Sequence, residues 1–319
     1  RLARDVVPDA CGNGVIDEGE ACDDGNDDND DGCSNECTIV DGWRCDDQEP
    51  SDCNPIATCE AAEDDCPDLD FVPIQGGEFT MGGLAGEDNT LPAHQVNVPD
   101  FELMRTEVTV GQYRACVNAG ACDAPNCTDA DTSGGVIVCN YSQNRNDHPV
   151  NYVSWINARQ FSTWVGARLP SESEWEFAAK SRGQNITYPW GNAAPTCEYA
   201  DFWINNDVCG GRGTSAVCTH AAGNSDQGLC DLAGNLWEWV QDEWHADYNG
   251  APADGSAWGA DADNGAPRIG RGGGWNTIAT GVRAAYRSGA GPTIGSFYTG
   301  FRLARDVVPD ACGNGVIDE

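Results

Sequence analysis

No cysteine lies between Cys230 and Cys312 in this 319-residue sequence, so that stretch offers no thiol for metal or redox chemistry. Histidines number four (His94, His148, His220, His245) and show no metal-like spacing. No run of about 18 apolar residues occurs, which excludes an ordinary membrane-spanning helix and membrane insertion by that route. Basic residues are scarce: 17 Lys and Arg face 52 Asp and Glu, a formal net charge of −35. That balance argues against nucleic acid and anionic lipid surfaces as partners, since both select basic proteins. It also implies bound cations, because like charges at this density oppose compaction. No nucleophile motif or phosphate loop is present. No signal peptide is visible, and the opening Arg1-Leu-Ala-Arg4 reads as the start of a processed or excised chain.

What is abundant is cysteine, seventeen in all, beside only two methionines and few lysines. This usage points to an oxidising, extracellular or cell-surface setting. Residues 302–319 repeat residues 1–18 letter for letter, so Cys312 is a second Cys11, and one period holds an even number of cysteines. Such a repeat signals a tandem array in which modules follow head to tail, or a sequence that wraps its own ends. Phe301-Arg-Leu-Ala-Arg-Asp-Val-Val308 alternates as a strand, and Arg1–Val7 copies most of it. One domain has one place for that strand, so the other copy belongs to a neighbour. Residues 1–10 therefore read as the end strand of a preceding unit, and 307–319 as the start of the next.

Residues 11–66 form a small acidic, cysteine-rich module, too short to bury a sufficient core without disulfides. Its spacings and lack of histidine fit zinc poorly. Asp24, Asn26, Asp28 and Asp30 occupy alternate positions in one acid-dense loop. The pattern suits a hard cation and equally a solvated loop. The segments Cys11-Gly-Asn-Gly14, Gly19-Glu-Ala-Cys-Asp-Asp-Gly-Asn26 and Gly42-Trp-Arg-Cys45 resemble the cysteine-rich repeat of myxobacterial-type surface proteins.

The main domain, residues 67–306, opens with a strand, a glycine turn and a strand over Phe71–Gly82. Thr109 with Gln112 predicts a capped helix over 110–118, Ser154 a second over 155–165, and Ser171 with Glu174 a third. Cys116, Cys122, Cys127 and Cys139 form one group, and Cys197, Cys209, Cys218 and Cys230 another, each expected to pair within itself. Asn126, Asn140 and Asn185 begin glycosylation sequons. The densest motif is Asp231-Leu-Ala-Gly-Asn-Leu-Trp-Glu-Trp-Val240. Its two carboxylates flank a Gly-Asn turn, which can wrap oxygens around calcium or simply join buried tryptophans.

Thr106-Glu-Val-Thr-Val-Gly-Gln-Tyr113, His148-Pro-Val-Asn-Tyr-Val-Ser-Trp155, Gly166-Ala-Arg-Leu-Pro-Ser-Glu-Ser-Glu-Trp-Glu176, Tyr188-Pro-Trp-Gly-Asn192, Arg271-Gly-Gly-Gly-Trp275, Val282-Arg-Ala-Ala-Tyr-Arg287 and Gly300-Phe-Arg-Leu-Ala-Arg305 surround it in order. Together these motifs resemble the formylglycine-generating enzyme, or sulfatase-modifying factor, family. The resemblance implies an α+β, C-type-lectin-like domain with many loops, beside the small disulfide-rich module. It implies calcium held at Asp231, Gly234, Leu236 and Glu238, and at Asp201, Phe202 and Asp207. It places the family's two copper-binding cysteines at Thr277 and about Val282, so the oxidase chemistry is expected to be absent. The expectation is a non-catalytic extracellular repeat, joined head to tail with copies of itself and stiffened by calcium and disulfides. The alternative is a lectin-like module binding glycans at Trp275, Asn276, Tyr286 and Arg287. An oxidase of that family is the remaining reading.

Overall fold

Hydroxyl caps set the helices. Helix α1 (Val110–Asn118) starts at Thr109 in a closed capping box with Gln112. Helix α2 (Trp155–Trp164) starts at Ser154, whose box is closed by Asn157. Helix α3 (Glu172–Ala179) starts at Ser171, boxed by Glu174, and all eight of its residues are buried. Each box gives two orphan N–H groups a partner, which fixes where the helix begins.

This computed structural model describes residues 66–127, 139–204, 213–259 and 265–307, with Cys59 and Cys209, and the backbone of 43–45, 53–55 and 207–208. The expected end strand 1–10, most of the module 11–66 with Asp24, Asn26, Asp28 and Asp30, and residues 308–319 lie outside the described residues. From the small module, β1 (Trp43–Cys45) pairs antiparallel with β2 (Cys53–Pro55).

The main domain is built on two sheets. Strands β3 (Phe71–Ile74), β6 (Phe101–Met104) and β13 (Ala304–Asp306) form one, in the order β13-β6-β3. Strands β9 (Trp237–Glu243), β10 (Arg268–Arg271), β11 (Arg287–Ala290) and β12 (Thr299–Phe301) form the other, in the order β11-β10-β9-β12. Strand β4 (Gly77–Met81) follows the predicted glycine turn but pairs with β5 (His94–Val98), not with β3. A short ribbon joins β7 (Trp203–Ile204) to β8 (Asp207–Val208). One core lies between α3 and β3, β4 and β5, centred on Trp175, Phe79 and Phe177. A second packs α1 and α2 around Tyr113, Trp155 and Phe161 against Phe301.

The expected single strand over 301–308 is two strands in different sheets. Strand β12 runs parallel to β9, and β13 runs antiparallel to β6. Between them Arg302 and Leu303 are fully buried. Arg302 turns inward to a carboxylate, and the backbone changes sheet at that residue.

Disulfides join Cys59 to Cys66, Cys116 to Cys122, Cys127 to Cys139, Cys197 to Cys209 and Cys218 to Cys230. Pairing stays within each group of four, as the spacing led one to expect. Of the sequons, Asn126 and Asn185 are exposed. Asn140 is fully buried, and its amide donates to Pro149 O and Thr214 Oγ1, so it has no nitrogen to give a glycan.

Candidate functional site

The turn 231–236 ties three distant segments together. Asp231, Gly234 and Asn235 have φ of 56°, 83° and 58°. A Cβ on Gly234 would stand 2.0 Å from Asp201 O, so only glycine fits. Asn235 N donates to Asp201 O at 3.0 Å, Gly234 N to Gly272 O at 3.0 Å, and Trp275 N to Asn235 O at 2.8 Å.

Strand β9 leaves this turn with Glu238 pointing inward. The alternation of Trp237, Glu238 and Trp239 suggests one wet and one dry face. Here Glu238 is 0% exposed. Arg302 grips it with Nε and Nη2, both at 2.6 Å, and Trp175 Nε1 donates to it at 2.8 Å. Glu107, also fully buried, takes Asn235 Nδ2 at 2.7 Å and Leu236 N at 3.0 Å. Three buried acids, Glu107, Asp231 and Glu238, thus share one guanidinium. Burial, then Asp231 and Glu238, push the Glu107 carboxyl well above its usual range. Burial raises Asp231 to about 6.

Asp201 is 1% exposed, and neither of its carboxylate oxygens receives a hydrogen bond. His220 Nε2 stands 3.4 Å from Oδ1, and Asp201 raises the imidazole above its ordinary value. Two buried oxygens without a hydrogen bond, only one of them facing His220, next to a surplus of buried acid, fit a hard cation. Phe202 O already accepts from Cys209 N at 3.2 Å, and Asp231 Oδ2 from Cys218 N at 2.7 Å. Asp207 lies in β8, where only the backbone is described. Glu238 spends both oxygens on Arg302 and Trp175, so its carboxylate is not turned to a cation. Among the described residues no three His, Cys, Asp or Glu side chains converge as metal ligands, so calcium bound here needs backbone carbonyls as well.

The two residues that the resemblance sets at the thiolate positions, Thr277 and about Val282, hold the fold here. Thr277 Oγ1 accepts from Gly274 N at 2.9 Å and from Trp237 Nε1 at 3.1 Å, closing the glycine turn. Val282 is fully buried in an apolar cluster with Ala200, Phe202, Cys209 and Ala233. Replacing Thr277 by valine leaves two donors unmatched. We expect a loss of about 1–3 kcal/mol, read as a lower urea midpoint at unchanged slope.

The candidate glycan pocket comes together only in part. Trp275 is 8% exposed and packs on Phe297, ring centres 5.6 Å apart. Asn276 keeps a buried Oδ1 with no hydrogen-bond partner. Tyr286 is half-buried over Trp237, ring centres 6.0 Å apart. Arg287 does not line the pocket: it is 1% exposed and bound to Glu172 through Nε at 2.7 Å and Nη2 at 2.9 Å. Beside the pocket, Trp203 (38% exposed) and Ile278 (58%) are joined by a parallel bridge. Neither was singled out from the sequence, because nothing in their local pattern marks an exposed apolar pair.

Sequence reading also missed the acid network behind α3. Asp242 caps that helix, taking Glu172 N at 2.6 Å and Trp258 N at 2.8 Å. Burial, and then Glu172, raise it to about 7. A carboxyl whose folded value lies above its unfolded one weakens the fold once ionised. Its cost is absent near pH 4 and complete above about 7. We therefore expect stability, read from the urea midpoint, to fall as pH rises from about 4 to about 7 and to level off above that, the total loss being on the order of a few kcal/mol. In Asp242→Asn that slope should flatten, from a lower starting stability, since an amide accepts through one atom only.

The family model described as "Sulfatase-modifying factor enzyme 1-like domain" matches residues 57–307. The Chlamydia trachomatis serine/threonine-protein kinase Pkn1 is 34% identical over 254 residues, covering 75% of this chain. The match spans only 38% of that kinase's length. The formylglycine-generating enzyme of Bos taurus is 28% identical over 290 residues, covering 76% of each protein. Among solved structures, PvdO from Pseudomonas aeruginosa superposes with a TM-score of 0.59 at 26% identity, over 80% of this chain and all of that one.

Proposed function

The chain belongs to the sulfatase-modifying factor family, with that family's α+β, C-type-lectin-like fold, and within it we propose a non-catalytic member. We infer that it is one extracellular unit of a head-to-tail fibre or surface array, stiffened by disulfides and calcium. The non-catalytic part rests on the resemblance, which assigns the thiolate positions to Thr277 and about Val282, neither of which offers a thiol. All ten cysteines with described side chains are in disulfides, so none of them offers a thiolate to copper. The exact repetition of residues 1–18 at 302–319 supports the array. Multiple disulfides, and the lack of any described helix long and apolar enough to cross a membrane, are compatible with an extracellular place.

The activity test is direct. The purified protein, given copper(I), oxygen and a cysteine-containing sulfatase peptide, should leave the peptide mass unchanged. Conversion of the cysteine to an aldehyde would overturn the reading.

Calcium would sit at Asp201 and Asp231 with nearby carbonyls, neutralising buried charge. Chelation should then lower the melting temperature, and Asp201→Ala should remove the response. At 100 times the dissociation constant a bound ion adds about 2.7 kcal/mol. Equal melting with and without calcium would exclude the ion.

A glycan-binding module is the second reading. It is supported by the exposed Trp203 and Ile278 beside Asn276 Oδ1. It requires glycan binding that is lost in Trp275→Ala.

A further inference from the structure

The place filled by β13 is a lock with a five-residue key. Arg302 is held by Glu238 through paired hydrogen bonds at 2.6 Å. Leu303 and Ala304 are both fully buried. Leu303 O accepts from Met104 N at 2.8 Å. Ala304 exchanges backbone hydrogen bonds with Arg168, at 2.9 and 2.8 Å, on the side away from β6. Arg305 pairs with Glu102 and lies over the Phe71 ring, 4.3 Å from its centre. Asp306 pairs with Arg168 at 2.6 Å. Every side chain of the segment is thus read, either by burial or by an opposite charge. The key recurs once in the chain: Arg1-Leu-Ala-Arg-Asp5 is the same sequence, followed by the same Val-Val-Pro.

We propose that Arg1–Asp5 enters the β13 place of a second copy of this chain, by strand exchange against residues 302–306. This rests on the head-to-tail reading and supplies its joint. Identical segments make identical contacts, so the slot cannot tell them apart. Exchange between copies then conserves every hydrogen bond and ion pair, and the outcome is set by concentration and by how the linkers reach. Because the donor segment and the slot are different parts of the chain, the contact is heterologous. It propagates as an open chain rather than closing as a pair. Strand addition with alternating pockets is an established mode of peptide capture. Here the paired charges Arg–Glu, Arg–Glu and Asp–Arg set its register.

The test uses the full chain. In Leu303→Asp with Ala304→Asp, the chain's own strand can no longer be buried. We expect this variant to stay folded and to run as concentration-dependent oligomers, its slots filled by Arg1–Asp5 of neighbours. Excess synthetic peptide of residues 1–9 should convert those oligomers to folded monomers. Leu2→Asp with Ala3→Asp should stay monomeric and melt like the parent at the same low concentration. The proposal is overturned if Leu303→Asp/Ala304→Asp melts as low as the variant with all four changes and the peptide raises neither. The failure of the joint is distinguishable from failure of the array. Parent fibres that persist in Leu2→Asp/Ala3→Asp would show an array held by another contact.

Discussion

Replacing Glu238 by alanine should destabilise the domain by about 3–5 kcal/mol, the cost of stripping one partner from a buried ion pair. Arg302 would remain at 0% exposure, held only by the carbonyls of Met104 and Arg105 at 3.2 Å and Cys230 at 2.8 Å. Trp175 Nε1 would lose its acceptor as well. Against a net stability of roughly 5–15 kcal/mol for a domain, such a loss leaves a marginal fold. Glu102→Ala is the control, since its partner Arg305 is 49% exposed. Exposed pairs contribute about 0–1 kcal/mol. Adding Arg302→Ala to Glu238→Ala should cost less than the sum of the single losses, because the charge left stranded is then gone. Urea midpoints of the oxidised proteins decide it. A Glu238→Ala loss no larger than that of Glu102→Ala would mean the pair is not what ties the β12–β13 junction at Arg302 to β9.

Reduction should have a larger effect still. The five disulfides among the described residues close sequence separations of 6, 7, 12, 12 and 12 residues. Loops of this size gain about 2–3 kcal/mol each from a cross-link. Together that is comparable to the whole stability of a domain. Two bonds matter most for the candidate site. Cys197–Cys209 brackets Asp201 and Phe202, and Cys218–Cys230 fixes the loop whose Cys218 N caps Asp231. Reductant at neutral pH should therefore collapse the near-ultraviolet tryptophan signal at ordinary temperature, and calcium should delay it. A reduced protein melting within a few degrees of the oxidised one would show that the cores alone suffice.

Much of this was legible in the sequence, for reasons that differ by element. The helix starts were readable because Thr109, Ser154 and Ser171 announce themselves through short-range capping chemistry. Disulfide grouping followed from spacing. The fold followed from ordered motifs such as Gly-Ala-Arg-Leu-Pro-Ser-Glu and Gly-Phe-Arg-Leu. What could not be read was long-range pairing. Glu238 lies between two tryptophans and looked like the wet residue of a half-buried strand. Its neutraliser, Arg302, is 64 positions away. Arg287 sat beside Tyr286 in a promising string, yet its partner Glu172 is 115 positions away, at the start of α3. The split of the last strand has the same origin. Alternation continues through Arg302, but the buried pair turns the chain there. Local pattern gives the elements, and buried charge pairs decide how they are joined.

Electron microscopy of the oxidised protein in calcium bears most directly on the proposed role. A domain of about 240 residues has a radius of gyration of roughly 18 Å, so a head-to-tail chain of such units should repeat on the order of 50 Å. A structural array gives fibres with that spacing, which dissociate when calcium and disulfides are removed together. Discrete compact particles at every concentration would contradict it, and the exposed Trp203 and Ile278 beside Trp275 would become the place to look for a ligand.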